Sequence, residues 1–147
     1  HRTGQTPTLL CSGRGQLAFS PDYSQMELRV AVVVANEERM NEAYKNGVDL
    51  HRQTASLVLD KPIKDITKED RQLAKAVNFG LLYGQSAKGL VGYAKKAYGV
   101  EMEYDRVRAI HGKFFSAYTG LRKRHERSRE TVSKDLKSIR TVSGRVR

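Results

Sequence analysis

Sulfur chemistry is nearly absent from this 147-residue sequence: its single cysteine, Cys11, cannot close an intramolecular disulfide and has no second thiolate with which to hold a metal. No apolar run approaches the roughly 18 residues that a membrane-spanning helix requires, and the opening segment HRTGQTPTLL carries no signal-peptide pattern. An intracellular, reducing location is the expectation, cytoplasmic and without a membrane partner. Internal repeats, low-complexity tracts and flexible linkers are also missing, which removes solenoid and bead-on-string architectures. Acidic residues are in short supply, with 16 against 27 lysines and arginines and a formal net charge of +11. The deficit is local: residues 1–66 carry 8 of each sign, residues 67–120 carry 9 basic against 5 acidic, and residues 121–147 carry 10 against 3. A gradient of this kind suits a polyanion such as nucleic acid, although a solvated basic helix fits composition equally well.

What is present is one domain's worth of core, with 39% hydrophobic and 29% charged residues. The first 16 residues read as loop, and LAFS reads as a short strand that breaks at Pro21. One helix is expected from Ser24, as its cap, to Gly47, as its stop. Further helices are expected through LHRQTASLVLD, from Thr67 to Gly84, from Ser86 through AKGLVGYAKKAYG, and in two pieces over 103–134 broken at YTG. SIRTVSGRVR reads as the first strand of a hairpin turning at Gly144. The fold class expected is α+β, mostly helical.

Two segments carry candidate chemistry. In RQLAKAVNFGLLYG, at about 100° per residue, Lys75, Phe79 and Tyr83 follow Arg71 at about 40°, 80° and 120°, while Leu73, Ala74, Val77 and Leu81 fall between about 200° and 300°. Two cations followed by two aromatic rings, about 6 Å apart along the axis, match a nucleoside triphosphate laid on the helix, phosphates first and base last. Spacing alone favours a plainer alternative, in which Phe79 and Tyr83 are packing residues beside two surface cations. In SPDYSQMELRV, Asp22 follows an apolar strand and precedes a helix, where a carboxylate can hold a divalent cation or merely cap, with Gln25 and Glu27 in the next turn.

DYSQMELRV at 22–30 resembles the first catalytic motif of family A, DNA polymerase I-like DNA polymerases. RQLAKAVNFGLLYG resembles the nucleotide-binding fingers helix of that family, DLHRQTA at 49–55 its Asp-x-His-x3-Ala segment, and TVSGRVR at 141–147 its Thr-x2-Gly-Arg-x-Arg segment. The four motifs occur in family order over nearly the whole chain. The resemblance implies a partial palm at 1–50, fingers at 51–120, and a helix and strand returning to the palm at 121–147. It also implies template-directed DNA synthesis from dNTPs on a primer-template with Mg2+. Asp22 and the Tyr23 carbonyl would hold metal, with Ser24 and Gln25 beside the nucleotide. Glu27 would close the sugar pocket and hydrogen-bond Tyr83. Arg71, Lys75 and His51 would meet the triphosphate, with Lys75 protonating the departing pyrophosphate, and Phe79 would pack on sugar and base. Gly84, Thr141, Arg145 and Arg147 would face DNA.

The sequence also departs from the family pattern. A two-metal site needs a second carboxylate, and the His-Asp-Glu motif that supplies it is not found; none of His1, His51, His111 or His125 precedes an aspartate. The expectation is an internal piece of a longer polymerase, inactive alone and completed by the rest of that chain. Pro21 beside Asp22 and Ser143 within the last motif are smaller departures, and His111 reads as a structural histidine. Two other functions remain open at this level: a basic helical module that only grips nucleic acid, and a single-subunit RNA polymerase-like fragment. Against the latter, a bulky Glu27 floor would clash with a 2′-hydroxyl.

Overall fold

A computed structural model of the chain describes residues 25–133. Within them run seven α-helices: α1 Met26–Val34, α2 Glu38–Lys45, α3 Leu50–Leu59, α4 Lys68–Leu82, α5 Ala87–Tyr98, α6 Tyr104–Ala117 and α7 Thr119–Ser133, with a 3-10 turn at Ile63–Asp65. The expected strands at LAFS and in SIRTVSGRVR lie outside the described residues, as does Ser24. The mostly helical character therefore stands, while the β component of the α+β class is not seen among the described residues.

The starts and stops follow local chemistry. Thr67 and Asp70 form a reciprocal capping box at α4, each side chain accepting from the other's backbone amide, at 3.1 Å and 3.2 Å. Ser86 caps α5 by accepting from the Gly89 amide, and Asp49 caps α3 by accepting from His51 and Arg52. The break expected at YTG is a single residue, Tyr118, where φ −110° and ψ 73° interrupt the helix.

One expectation is corrected. The helix expected to run unbroken from Ser24 to Gly47 is two helices, and the cap position of the first is Gln25 at φ 55°. The chain turns at Asn36, also left-handed at φ 50°, and Glu37 begins α2 by accepting from the Arg39 amide at 3.3 Å. The other carboxylate oxygen of Glu37 accepts from the Gly120 amide at 2.7 Å, so this buried acid links the α1–α2 corner to the start of α7.

Of two clusters of buried apolar residues, the smaller joins Ala55, Ile66 and Ala74, and the larger runs from Leu28 on α1 to Leu121 on α7, with Phe114 and Tyr118 as its largest members. α4 lies at its centre, packed on α3 and α5, while α3 and α5 both reach α6. Leu73, Ala74, Val77 and Leu81 are all buried, as the helical wheel requires. At Gly80 an added Cβ would stand 2.5 Å from Leu90, so the absence of a side chain lets α5 close on α4.

Gly120 is the tightest such contact against backbone, because a Cβ there would meet the carbonyls of Ala35 and Asn36 at 2.8 Å and 2.9 Å. Gly120→Ala is expected to cost about 1–3 kcal/mol of stability, read as an earlier denaturant midpoint. A midpoint equal to that of the parent chain would mean the α1–α2 corner yields freely.

Candidate functional site

Packing one face of α4 against α3 and α5 leaves Arg71, Lys75, Phe79 and Tyr83 along its other edge, the first three half-buried and Tyr83 60% exposed. Neither aromatic ring is swallowed by the core. Each member of the row has a partner from another part of the chain. Arg71 donates through Nε to Asp49 Oδ2 at 2.7 Å. Burial would raise the Asp49 carboxyl, but the Arg71 hydrogen bond and the amides of Arg52 and His51 hold it below the usual range. Because Arg71 engages Asp49 through one N–H, its two terminal amino groups still offer a fork to an anion. The Lys75 ammonium stands 5.8 Å from the centre of the Tyr98 ring.

At the far end of the row Tyr83 donates its hydroxyl to Glu27 Oε2 at 2.6 Å, across 56 residues of sequence. The hydrogen bond to Glu27, with a smaller part from burial, pushes the Tyr83 hydroxyl up to about 12. This bond ties α1 to the C-terminal end of α4, where Gly84 turns out of the helix at φ 73°. Gly84 is covered by His125 of α7, 3.4 Å from where a Cβ would be. Gln25 accepts from the Tyr44 hydroxyl at 2.9 Å.

His51 lies 2% exposed on α3, its ring centre 6.1 Å from that of Phe79. Asn78 Nδ2 stands 2.9 Å from His51 Nδ1. Burial, then the charge of Arg71, lowers the His51 pKa from 6.5 to about 4, so the ring is neutral at physiological pH. His111 lies edge-on to Phe115 at 4.9 Å, and burial holds its pKa down as well, which agrees with a structural role.

Glu27, His51, Arg71, Lys75, Phe79 and Tyr83 thus share one side of α4 and its flanks. Asp22, Tyr23, Ser24, Thr141, Arg145 and Arg147 lie outside the described residues. Among the described residues no cluster of three or more acids, histidines or cysteines could hold a metal ion. The resemblance pairs Glu27 with Tyr83, and the other partners of the row were missed. Asp49 had a local signal as the cap before Leu50, but its salt bridge to Arg71 crosses 22 residues, and Tyr98 had none. An open cleft of about 1110 Å3 between α2 and α7, with Glu38, Glu42, Lys123, Arg124 and Arg127 on its walls, contains none of these residues.

The sequence model of DNA polymerase family A matches residues 7–147. The chain is 47% identical over 123 residues to DNA polymerase I of Aquifex aeolicus, an alignment covering 84% of this chain and 21% of that protein. It is 36% identical over 138 residues to DNA polymerase I of Rhizobium leguminosarum, covering 94% and 13%. Among solved structures, the POL domain of Pol1 from M. smegmatis in complex with DNA primer-template and dNTP superimposes with a TM-score of 0.72 at 32% identity, over 86% of this chain and 21% of that one. These are nucleotide-polymerising enzymes, and the chain belongs to DNA polymerase family A. It spans about a fifth or less of the length of these relatives.

The buried neutral His51 sets a pH dependence. The unfolded chain takes up the histidine proton near 6.5 and the folded chain only near 4, so stability falls as pH drops through that window, by up to about 3 kcal/mol. Denaturant midpoints measured from pH 7 to pH 4 should show this slope, and His51→Gln should lose that portion of it. An unchanged slope in the variant would place the titration elsewhere.

Proposed function

We propose that this chain is the nucleotide-binding part of a template-directed DNA polymerase, which adds dNTPs to a primer 3′ end in the cytoplasm. The observation that carries the reading is the Tyr83–Glu27 hydrogen bond, which puts the acid of α1 at the end of a row of two cations and a ring. Residues 1–50 are read as partial palm, 51–120 as fingers, and 121–147 as the return to the palm. The basic side chains of α7, among them Arg122, Lys123 and Arg124, suit the backbone of a primer-template.

Phosphoryl transfer asks little covalent help of a protein and much placement of charge. The primer 3′ hydroxyl gives its proton to water as its oxygen bonds to the α-phosphorus, the bond to the bridging oxygen of the β-phosphate breaks, and pyrophosphate leaves. Arg71, through its terminal amino groups, and Lys75 would meet the β and γ phosphates, and Lys75 would pass a proton to the departing pyrophosphate. Phe79 would lie against the sugar and base. Glu27, held by Tyr83, would fill the space that a ribose 2′-hydroxyl needs. Mg2+ ions, when bound, would neutralise the phosphates and lower the pKa of the attacking hydroxyl. Asp22 and the Tyr23 carbonyl would hold them.

In a polymerase carrying this chain, Lys75→Ala should lower kcat/KM for dNTP by roughly 100-fold or more, with primer-template affinity nearly intact. Loss of DNA affinity with no nucleotide effect would instead make the chain a DNA-gripping module. Glu27→Ala should raise incorporation of ribonucleotides relative to deoxynucleotides. Unchanged rejection of ribonucleotides would remove the gate from Glu27.

A further inference from the structure

Behind the row of cations a line of four buried polar side chains crosses the core: Tyr118 at the end of α6, Thr54 and His51 on α3, and Asn78 on α4. Thr54 Oγ1 donates to Asn78 Oδ1 at 3.0 Å, and the Tyr118 hydroxyl lies 2.9 Å from the same Thr54 oxygen. A threonine hydroxyl has one proton. With that proton spent on Asn78, Tyr118 must be the donor to Thr54. With its amide oxygen facing Thr54, Asn78 turns its NH2 group to His51 Nδ1 at 2.9 Å. An amide nitrogen only donates, so Nδ1 must present its lone pair and a neutral ring must carry its proton on Nε2.

The line is an expensive way to join helices, since buried polar groups must each be desolvated and apolar side chains of similar volume would hold α3 to α4 as well. What it adds is direction. We propose that Asn78 is a positioning residue, which with Thr54 and Tyr118 fixes His51 in the Nε2–H tautomer as a neutral hydrogen-bond donor to a nucleotide phosphate oxygen beside Arg71 and Lys75. The proposal rests on the nucleotide-binding reading above and assigns Asn78, Thr54 and Tyr118 a task in it. With its proton on Nδ1 the ring would present a lone pair rather than a donor at Nε2, and a lone pair repels a phosphate oxygen. The charged groups around His51 are Asp49 at the start of its own helix and Arg71 and Lys75 on α4, with the Tyr118 hydroxyl behind Thr54.

The tautomer can be read directly by nitrogen–proton correlation spectroscopy on the full chain carrying isotope-labelled histidine. The parent chain and Thr54→Ser should show His51 protonated on Nε2. Asn78→Asp presents only acceptors, so it should move the proton to Nδ1 and raise the acid titration of the ring. In a polymerase carrying the chain, Asn78→Asp should raise KM for dNTP roughly tenfold with a smaller change in kcat, and Thr54→Ser should behave as the parent. Should Asn78→Asp not fold, Tyr118→Phe, which removes the donor that orients Thr54, should give a mixture of both tautomers. A parent ring protonated on Nδ1 overturns the proposal. So does a tautomer shift in Asn78→Asp that leaves KM unmoved. If Lys75→Ala spares dNTP use while the tautomer pattern is as expected, the nucleotide reading fails and the relay geometry survives it.

Discussion

The rotational setting of α4 about its own axis governs everything on its polar side. Leu73, Val77 and Leu81 face the common core, and Gly80 lets Leu90 of α5 approach so closely that no methyl group fits between them. A turn of α4 by one residue, about 100°, would carry the Lys75 ammonium to the buried place of Ala74 or Ala76 and force Val77 into the buried place of Ala76 or Asn78. Both changes are unfavourable, so the order Arg71, Lys75, Phe79, Tyr83 on the free edge is held by hydrophobic burial on the other. The ends are fixed independently, by the Thr67–Asp70 capping box and by the left-handed turn at Gly84.

The polar partners then act as fine adjustment. Asp49 begins α3 and at the same time holds Arg71, so the position of the guanidinium depends on how α3 meets α4. Glu37 does comparable work for α7, capping α2 with one oxygen and receiving Gly120 with the other. In each case one carboxylate serves a local helix end and a distant element together. Local capping and tertiary arrangement are mutually consistent here, the condition under which a sequence specifies one structure.

Signals confined to a few residues were legible in the sequence. Thr67, Ser86 and the YTG break depend on neighbours within one turn, and the buried face of α4 depends only on helical periodicity. The corner at Asn36 was missed because VAVVVANEERMNEA has no glycine or proline to mark a break; its local sign is Asn36 itself, a residue that tolerates the left-handed region, and the contact of Glu37 with Gly120 lies 83 positions away. The exposed position of Tyr83 was likewise undecided by spacing, which favoured the core. Its hydroxyl finds Glu27, a pairing that the family resemblance named and that helical periodicity could not supply. The Tyr118–Thr54–Asn78–His51 line joins residues spread over 67 positions, and no window of the sequence contains it.

The capping box has one further electrical meaning. The positive end of the α4 backbone dipole is already quenched by Asp70 and Glu69 in its first turn, and Lys61 is drawn to Asp70 at 2.9 Å. Arg71 and Lys75 begin where the field of the peptide groups has faded. An anion resting there would meet the Lys75 ammonium and a guanidinium anchored by Asp49 rather than a fixed cradle of amides, so its grip would follow the reach of two long side chains.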